Sequence, residues 1–250
     1  MHRRPDPLYV GDVSGLRRAL VAVLVAVAVF VPAPATQALS GPPTPANLRH
    51  ELIGDARQVV VVSTPRWNTT VASVSMYQLI GTTWRRVAGP YGARIGRRGL
   101  SLSHREGDGT TPAGSFAITS GFGLAAKAGT KLAYTQIRPG SCWISQTGRL
   151  EYNTMVSSPT CGLPNEDLYR IARAGPYRRT IVTDYNVGPT TPGFGSAIFL
   201  HTHAYRLGGG TRYTSGCVSL SSFGLVALWR RLDPALGPRV IIGPTKWLLR

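Results

Sequence analysis

From residue 58 onward the chain alternates short β-rich runs with turn residues. The first three are QVVVVST at Gln58–Thr64, TVASVSMYQLI at Thr70–Ile80 and TTWRRVAG at Thr82–Gly89. Runs of this length, rich in β-branched residues and bounded by turn formers, predict strands in an antiparallel β architecture. Further strand-like runs are SFAIT, KLAYTQI, CWIS, YRRTIVTDYN, SAIFLHTH and RVIIG. Helical periodicity is confined to two segments. One is EDLYRIARA, with Asn165 as its cap. The other is SFGLVALWRRLD, in which Phe223, Val226 and the Leu228–Trp229 pair share one face. The pattern predicts a mainly β domain with a few short helices over residues 58–243. The Pro-containing stretch 39–57 reads as a linker with at most a short helical turn, and 244–250 as a C-terminal tail. No internal repeat or low-complexity tract is apparent.

The N-terminal forty residues depart from this pattern. Arg17 and Arg18 precede an uninterrupted apolar run from Ala19 to Val31, followed by PAPATQA, whose small residues Thr36 and Ala38 fit a signal-peptidase site. This predicts an export signal over residues 1–38. The run is shorter than the roughly 20 residues that span a bilayer, so no stable membrane span is expected after cleavage. The 28 Lys+Arg against 11 Asp+Glu leave a net charge of +17, scattered rather than gathered into blocks. Such a charge favours polyanions in general. Export shifts that preference from nucleic acid to anionic cell-wall polymers outside the membrane.

In an oxidising compartment an odd number of cysteines is informative, and there are 3. Cys142 and Cys161 flank a single excursion containing Gly148, Asn153 and the Ser157–Pro159 turn, and are expected to pair. Cys217, within YTSGCVSL, is then a free thiol that needs burial or a task. Gly216 allows a tight turn there, and successive amides of such a turn can point at one oxyanion. An imidazole would activate the thiol. His201 ends the strand-like SAIFL, and the loop carrying Gly208, Gly209 and Gly210 can fold back to join His201 to Cys217.

FLHTH followed by a glycine-rich stretch and TSGCVSL resembles the active-site signature of the L,D-transpeptidase (YkuD-like) catalytic domain. TPAGSF within residues 106–116 and DYN at 184–186 are similar to further segments of that family, and the resemblance spans roughly Val59 to Gly243. Chain order agrees, since papain-like envelope peptidases run Cys before His. The resemblance implies a β-sandwich or open barrel and an exported enzyme of the bacterial envelope that needs no cofactor or metal. It implies attack by the Cys217 thiolate on the dibasic third residue of a peptidoglycan tetrapeptide stem, loss of the terminal D-Ala, and transfer of the acyl group to another stem as a 3→3 cross-link. His201 would be the base, oriented by the Thr202 carbonyl, with amides around Gly216 and Cys217 as the oxyanion site. Ser215 and Ser219 would support it, and His203 and Tyr185 would lie toward the substrate cleft. Two positions depart from the family: Ser215 stands where His is common, and Ser219 where Arg or Asn is frequent. Ser219 carries no charge, so recognition of a substrate carboxylate must come from elsewhere.

Other readings stay open at this point. Water in place of the amine would give an L,D-carboxypeptidase. A non-catalytic wall-binding module would use the same positive surface. His201 and His203, facing one side of a strand, could hold zinc together with Cys217, but no nearby carboxylate suggests itself. His104 reads as a solvated loop histidine. Pro112 and Gly114 read as a turn entering a strand, and Tyr185 could simply pack.

Overall fold

The computed structural model describes residues 41–125 and 129–249; the expected signal segment 1–38 and the first residues of the linker lie outside them. The three N-terminal runs form β1 (Gln58–Thr64), β2 (Val71–Ile80) and β3 (Thr83–Arg94). Two short strands, β4 (Leu100–Ser101) and β5 (Thr111–Pro112), precede β6 (Gly114–Gly123) and β7 (Ala133–Gln136). A small three-stranded sheet comprises β8 (Ser141–Trp143), β9 (Met155–Ser157) and β10 (Glu166–Asp167). The chain then returns to the main sheet with β11 (Arg179–Thr183), β12 (Phe199–Thr202), β13 (Val218–Leu220) and β14 (Arg239–Pro244). The helices are α1 (His50–Ile53), α2 (Leu168–Arg173), α3 (Ser222–Trp229) and α4 (Thr245–Leu248).

The fold is mainly β with few short helices, as expected. The main sheet runs β11–β12–β13–β3–β2–β1–β14–β6–β7, and pairing of β11 with β6 closes it into a barrel. Its pairing is mixed rather than antiparallel throughout: β1–β14, β12–β13 and β6–β7 are parallel. The unbroken VVVV of β1 reflects burial of both faces. Val60 and Val62 join Val240 and Ile242 in the main core, while Val59 and Val61 join Ile241 in a second core. That second core is closed by Leu48, Leu52 and Ile53 from the stretch read as a linker, and by Leu248 from the stretch read as a tail. Both stretches therefore pack on the outer face of β1 and β14.

The helical readings need adjustment. Glu166 belongs to β10, and the cap of α2 is Asp167, whose carboxylate accepts from the Arg170 amide at 2.9 Å. The Asn165 side chain instead accepts from the Ser145 and Gln146 amides. In α3 the buried face is Leu225, Leu228 and Trp229; Phe223 is exposed and meets Tyr91 edge-on.

Candidate active site

Parallel pairing of β12 with β13 sets Leu200 against Val218 and His201 against Ser219. It brings His201 and Cys217 to one cavity of about 500 Å³, shared with Glu166, Tyr177, Arg206 and Arg212. The Cys217 thiol is buried and donates to the Ala197 carbonyl at 3.1 Å. Ala197 holds a left-handed φ of 55°, an uncommon conformation for a residue with a Cβ. Its amide donates to Asn153 Oδ1 at 3.0 Å. Gly216 is closely approached: a Cβ there would lie 3.1 Å from Ile198 Cδ1 and from the Thr110 carbonyl, a tight fit. The Gly216 amide donates to Thr214 Oγ1 at 3.2 Å, so it is not aimed at the cavity as expected. Thr214 Oγ1 in turn donates to the Cys217 carbonyl at 2.6 Å, tightening the turn. Ser215 is exposed on the cavity wall.

His201 Nδ1 lies 2.7 Å from the Thr202 carbonyl. A carbonyl only accepts, so Nδ1 carries the proton and Nε2 keeps its lone pair. Thr202 is itself anchored, its hydroxyl reaching the Gly175 and Pro176 carbonyls at 3.0 and 2.8 Å. The Tyr177 ring stands edge-on to the His201 ring at 5.1 Å. Burial lowers the His201 pKa to about 4, against the opposing Thr202 carbonyl. Burial, with the nearby Glu166 carboxylate, raises the Cys217 thiol to about 12. The Phe199 amide, the Tyr177 hydroxyl and the Cys217 amide oppose that rise and favour the thiolate. The resting pair is therefore a neutral thiol and a neutral imidazole.

The histidine pair separates. β12 ends at Thr202, so strand alternation does not extend to His203. His203 lines neighbouring cavities rather than that of Cys217. It connects to the site through Ser219, whose hydroxyl lies 2.9 Å from His203 Nδ1 and which lines the cavity of Cys217. Among the described residues no group of three or more His, Cys, Asp or Glu side chains is arranged to hold a metal. Tyr185 is not on the cleft: its ring meets His104 and Phe116 edge-on, and its hydroxyl donates to the Phe194 carbonyl. Pro112 lies in β5, paired with Ser101, rather than in a turn, and Gly114 opens β6; Thr111 Oγ1 accepts from the Gly96 amide at 2.8 Å.

Three residues escaped the sequence reading. Glu166 supplies the carboxyl thought to be missing; β10 pairs it with Trp143, beside the Cys142–Cys161 disulfide, whose Cα atoms are 5.7 Å apart. Tyr177 donates to it at 2.7 Å, and burial raises Glu166 to about 7. Asn153, read only as a turn residue, accepts from Trp143 Nε1 and the Ala197 amide and donates to the Tyr185 and Asn186 carbonyls. His104 is buried rather than solvated. It sits against Gly195 and behind Gly216, with Thr110 Oγ1 at 2.9 Å and Asp108 at 3.1 Å from Nδ1. Desolvation outweighs the Asp108 and Glu106 carboxylates and lowers its pKa. The spacing of His104 to Asp108 was its one visible signal.

The closed mixed barrel thus carries His201 within β12 and Cys217 immediately before β13, the strand paired with it. The family profile described as YkuD, L,D-transpeptidase catalytic domain, matches residues 57–242, and the chain belongs to that family. Among solved structures the chain is similar to the helical cell shape determining protein Pgp2 from Campylobacter jejuni. That match has 16% identity and a TM-score of 0.38 over 80% of this chain, which spans 55% of the Pgp2 chain. No curated protein matches it. The family and the disulfide fit an extracytoplasmic location. No helix among the described residues is long and apolar enough to cross a membrane.

Proposed function

We propose that the protein is an exported cysteine acyltransferase acting on peptidoglycan stem peptides, with Cys217 as nucleophile and His201 as base. The observation that carries this reading is the shared cavity of Cys217 and His201, with the imidazole Nδ1 tied to the Thr202 carbonyl. The tie leaves Nε2 as the acceptor for the thiol proton. Sulfur attacks the carbonyl of the dibasic third residue and the C–N bond to D-Ala breaks. The proton taken by His201 passes to the departing amine. The resulting thioester reacts with the amine of a second stem to form a 3→3 cross-link. The Phe199 and Cys217 amides, which favour the thiolate, are the donors offered to developing negative charge, while the Tyr177 hydroxyl is engaged by Glu166. Arg206 and Arg212 on the same wall supply the carboxylate recognition that Ser219 lacks. The N-terminal segment 1–38 directs export, and the positive charge holds the enzyme at anionic wall polymers.

Intact mass after incubation with a carbapenem tests the reading, since attack on the strained lactam adds the drug's mass once. The adduct is expected on Cys217, lost in Cys217→Ser and His201→Ala, and formed at a measurable rate in His203→Ala. Folded wild-type protein that neither acylates with several carbapenems nor alters tetrapeptide stems would overturn the reading in favour of a wall-binding module.

A further inference from the structure

The catalytic cavity adjoins a larger one of about 870 Å³, and the two share Pro176, Ala204 and Arg212 in their walls. The charge of their linings differs. Glu166 faces the first beside Arg206 and Arg212, whereas among the described residues the second is lined by Arg178, Arg179 and Arg212 and by no Asp or Glu. Among the described residues none of these three guanidinium groups is ion-paired. His203, also on this wall, has its pKa lowered by burial and by Arg94 and stays neutral at pH 7, so the positive potential belongs to the arginines. The partition between the cavities is not loose: Thr202 holds Pro176 by its hydroxyl and His201 by its carbonyl. A group in the second cavity therefore lies across a fixed wall from the base.

We propose that this arginine-lined cavity is the acceptor subsite and selects an acceptor peptide by its free carboxylates. The inference rests on the reading of Cys217 as the acyl-carrying residue. An acylated Cys217 has two fates. An amine nitrogen attacks the thioester carbonyl, the C–N bond forms, the C–S bond breaks, and the amine proton passes through His201 to the sulfur. Alternatively, water takes the place of the amine and the product is a free acid. Guanidinium groups bind carboxylates through paired hydrogen bonds. A carboxylate seated on Arg178 and Arg179 raises the local concentration of the acceptor amine and shifts the outcome from hydrolysis toward transfer.

The test uses two soluble stem peptides as acceptors, identical except that the carboxylates of one are amidated, with a tetrapeptide stem as donor. Wild type is expected to transfer to the free-carboxylate acceptor at least about tenfold faster than to the amidated one, the size of one charge-assisted hydrogen bond. The double variant Arg178→Gln/Arg179→Gln should lose that preference and release hydrolysed donor instead. Its carbapenem adduct at Cys217 reports that the fold and the first half-reaction survive. Arg85→Gln, an exposed arginine on β3 that lines neither cavity, is the matched charge control and should keep the preference. Equal transfer to both acceptors in wild type, or a preference that persists in the double variant, overturns the proposal. So does inhibition of transfer by a glycerol-phosphate oligomer to the same extent with either acceptor, which would assign the cavity to wall polymer. NMR titration of both acceptors into Cys217→Ser protein reads the subsite without turnover. About tenfold tighter binding of the free-carboxylate peptide there supports the subsite even if Cys217 forms no acyl-enzyme, a failure that would count against the proposed function alone.

Discussion

Around β1 and β14 the barrel is held by aliphatic side chains on both faces, whereas the wall behind Cys217 is held by a few polar side chains with several partners each. In the first region Val59 through Val62 alternate between two cores, and many interchangeable contacts share the load. In the second, Asn153 joins β8 to the loop that carries Ala197, the neighbouring Ser196 hydroxyl donates to Ser145, and His104 stands between Gly195 and Gly216. Apolar burial is non-directional and tolerates small shifts. Hydrogen-bonded scaffolds fix geometry but lose it when one member is removed.

The contrast predicts different failures in the two regions. Trp229 is buried in the barrel core, its ring edge-on to Tyr134 at 5.5 Å. Trp229→Ala should lower stability by about 3–5 kcal/mol, read by chemical denaturation. The molecules that remain folded should acylate with a carbapenem at nearly the wild-type rate. A loss of acylation larger than the loss of folded protein would show that the barrel core also sets site geometry.

Asn153→Ala should show the opposite balance. Its removal strands the Ala197 and Trp143 donors, at a cost of about 2 kcal/mol, yet frees the carbonyl that accepts from the Cys217 thiol to move. Acylation in the folded fraction should fall about tenfold or more, as misplacement of a reacting group by about 1 Å does. A variant that is destabilised but acylates normally would mean that the left-handed turn at Ala197 is held without Asn153.

The same division explains what could be read in the chain. β1, β2 and β14 announce themselves through β-branched runs, and Cys217 and His201 through a glycine-bounded thiol downstream of a histidine. Closure of the barrel through β11 and β6 depends on a pairing between strands far apart in sequence, which local pattern does not encode. Glu166 looked like the start of a helix because EDLYRIARA carries helical periodicity. Its role as a strand residue facing the cavity depends on Trp143 and the disulfide. Similarly, the two-residue spacing of His201 and His203 predicts one face only while the strand continues, and it stops between them. The short polar pieces at 39–57 and 244–250 hid apolar residues whose partners lie on β1 and β14.

The smallest expected effect sharpens the comparison most, because it changes charge without changing shape. Glu166→Gln keeps an acceptor for the Tyr177 hydroxyl and removes the carboxylate that, after burial, holds the Cys217 thiol high. Two consequences differ in sign. Alkylation of Cys217 by iodoacetamide at pH 8 should be faster in the variant, because its thiolate is no longer opposed by a neighbouring negative charge. Stability responds differently. The wild-type Glu166 pKa is raised from 4.5 to about 7, chiefly by burial and secondarily by Glu106, against the Tyr177 hydrogen bond. Below 4.5 the carboxyl is protonated in both the folded and unfolded chains, and above 7 it is ionised in both. Between those values the folded chain binds more protons, so its stability falls as pH rises through the window. Denaturation curves across that window should slope downward more steeply in wild type than in Glu166→Gln. Equal slopes, together with unchanged alkylation, would mean that the carboxylate is solvated well enough in the cavity to leave Cys217 indifferent to it.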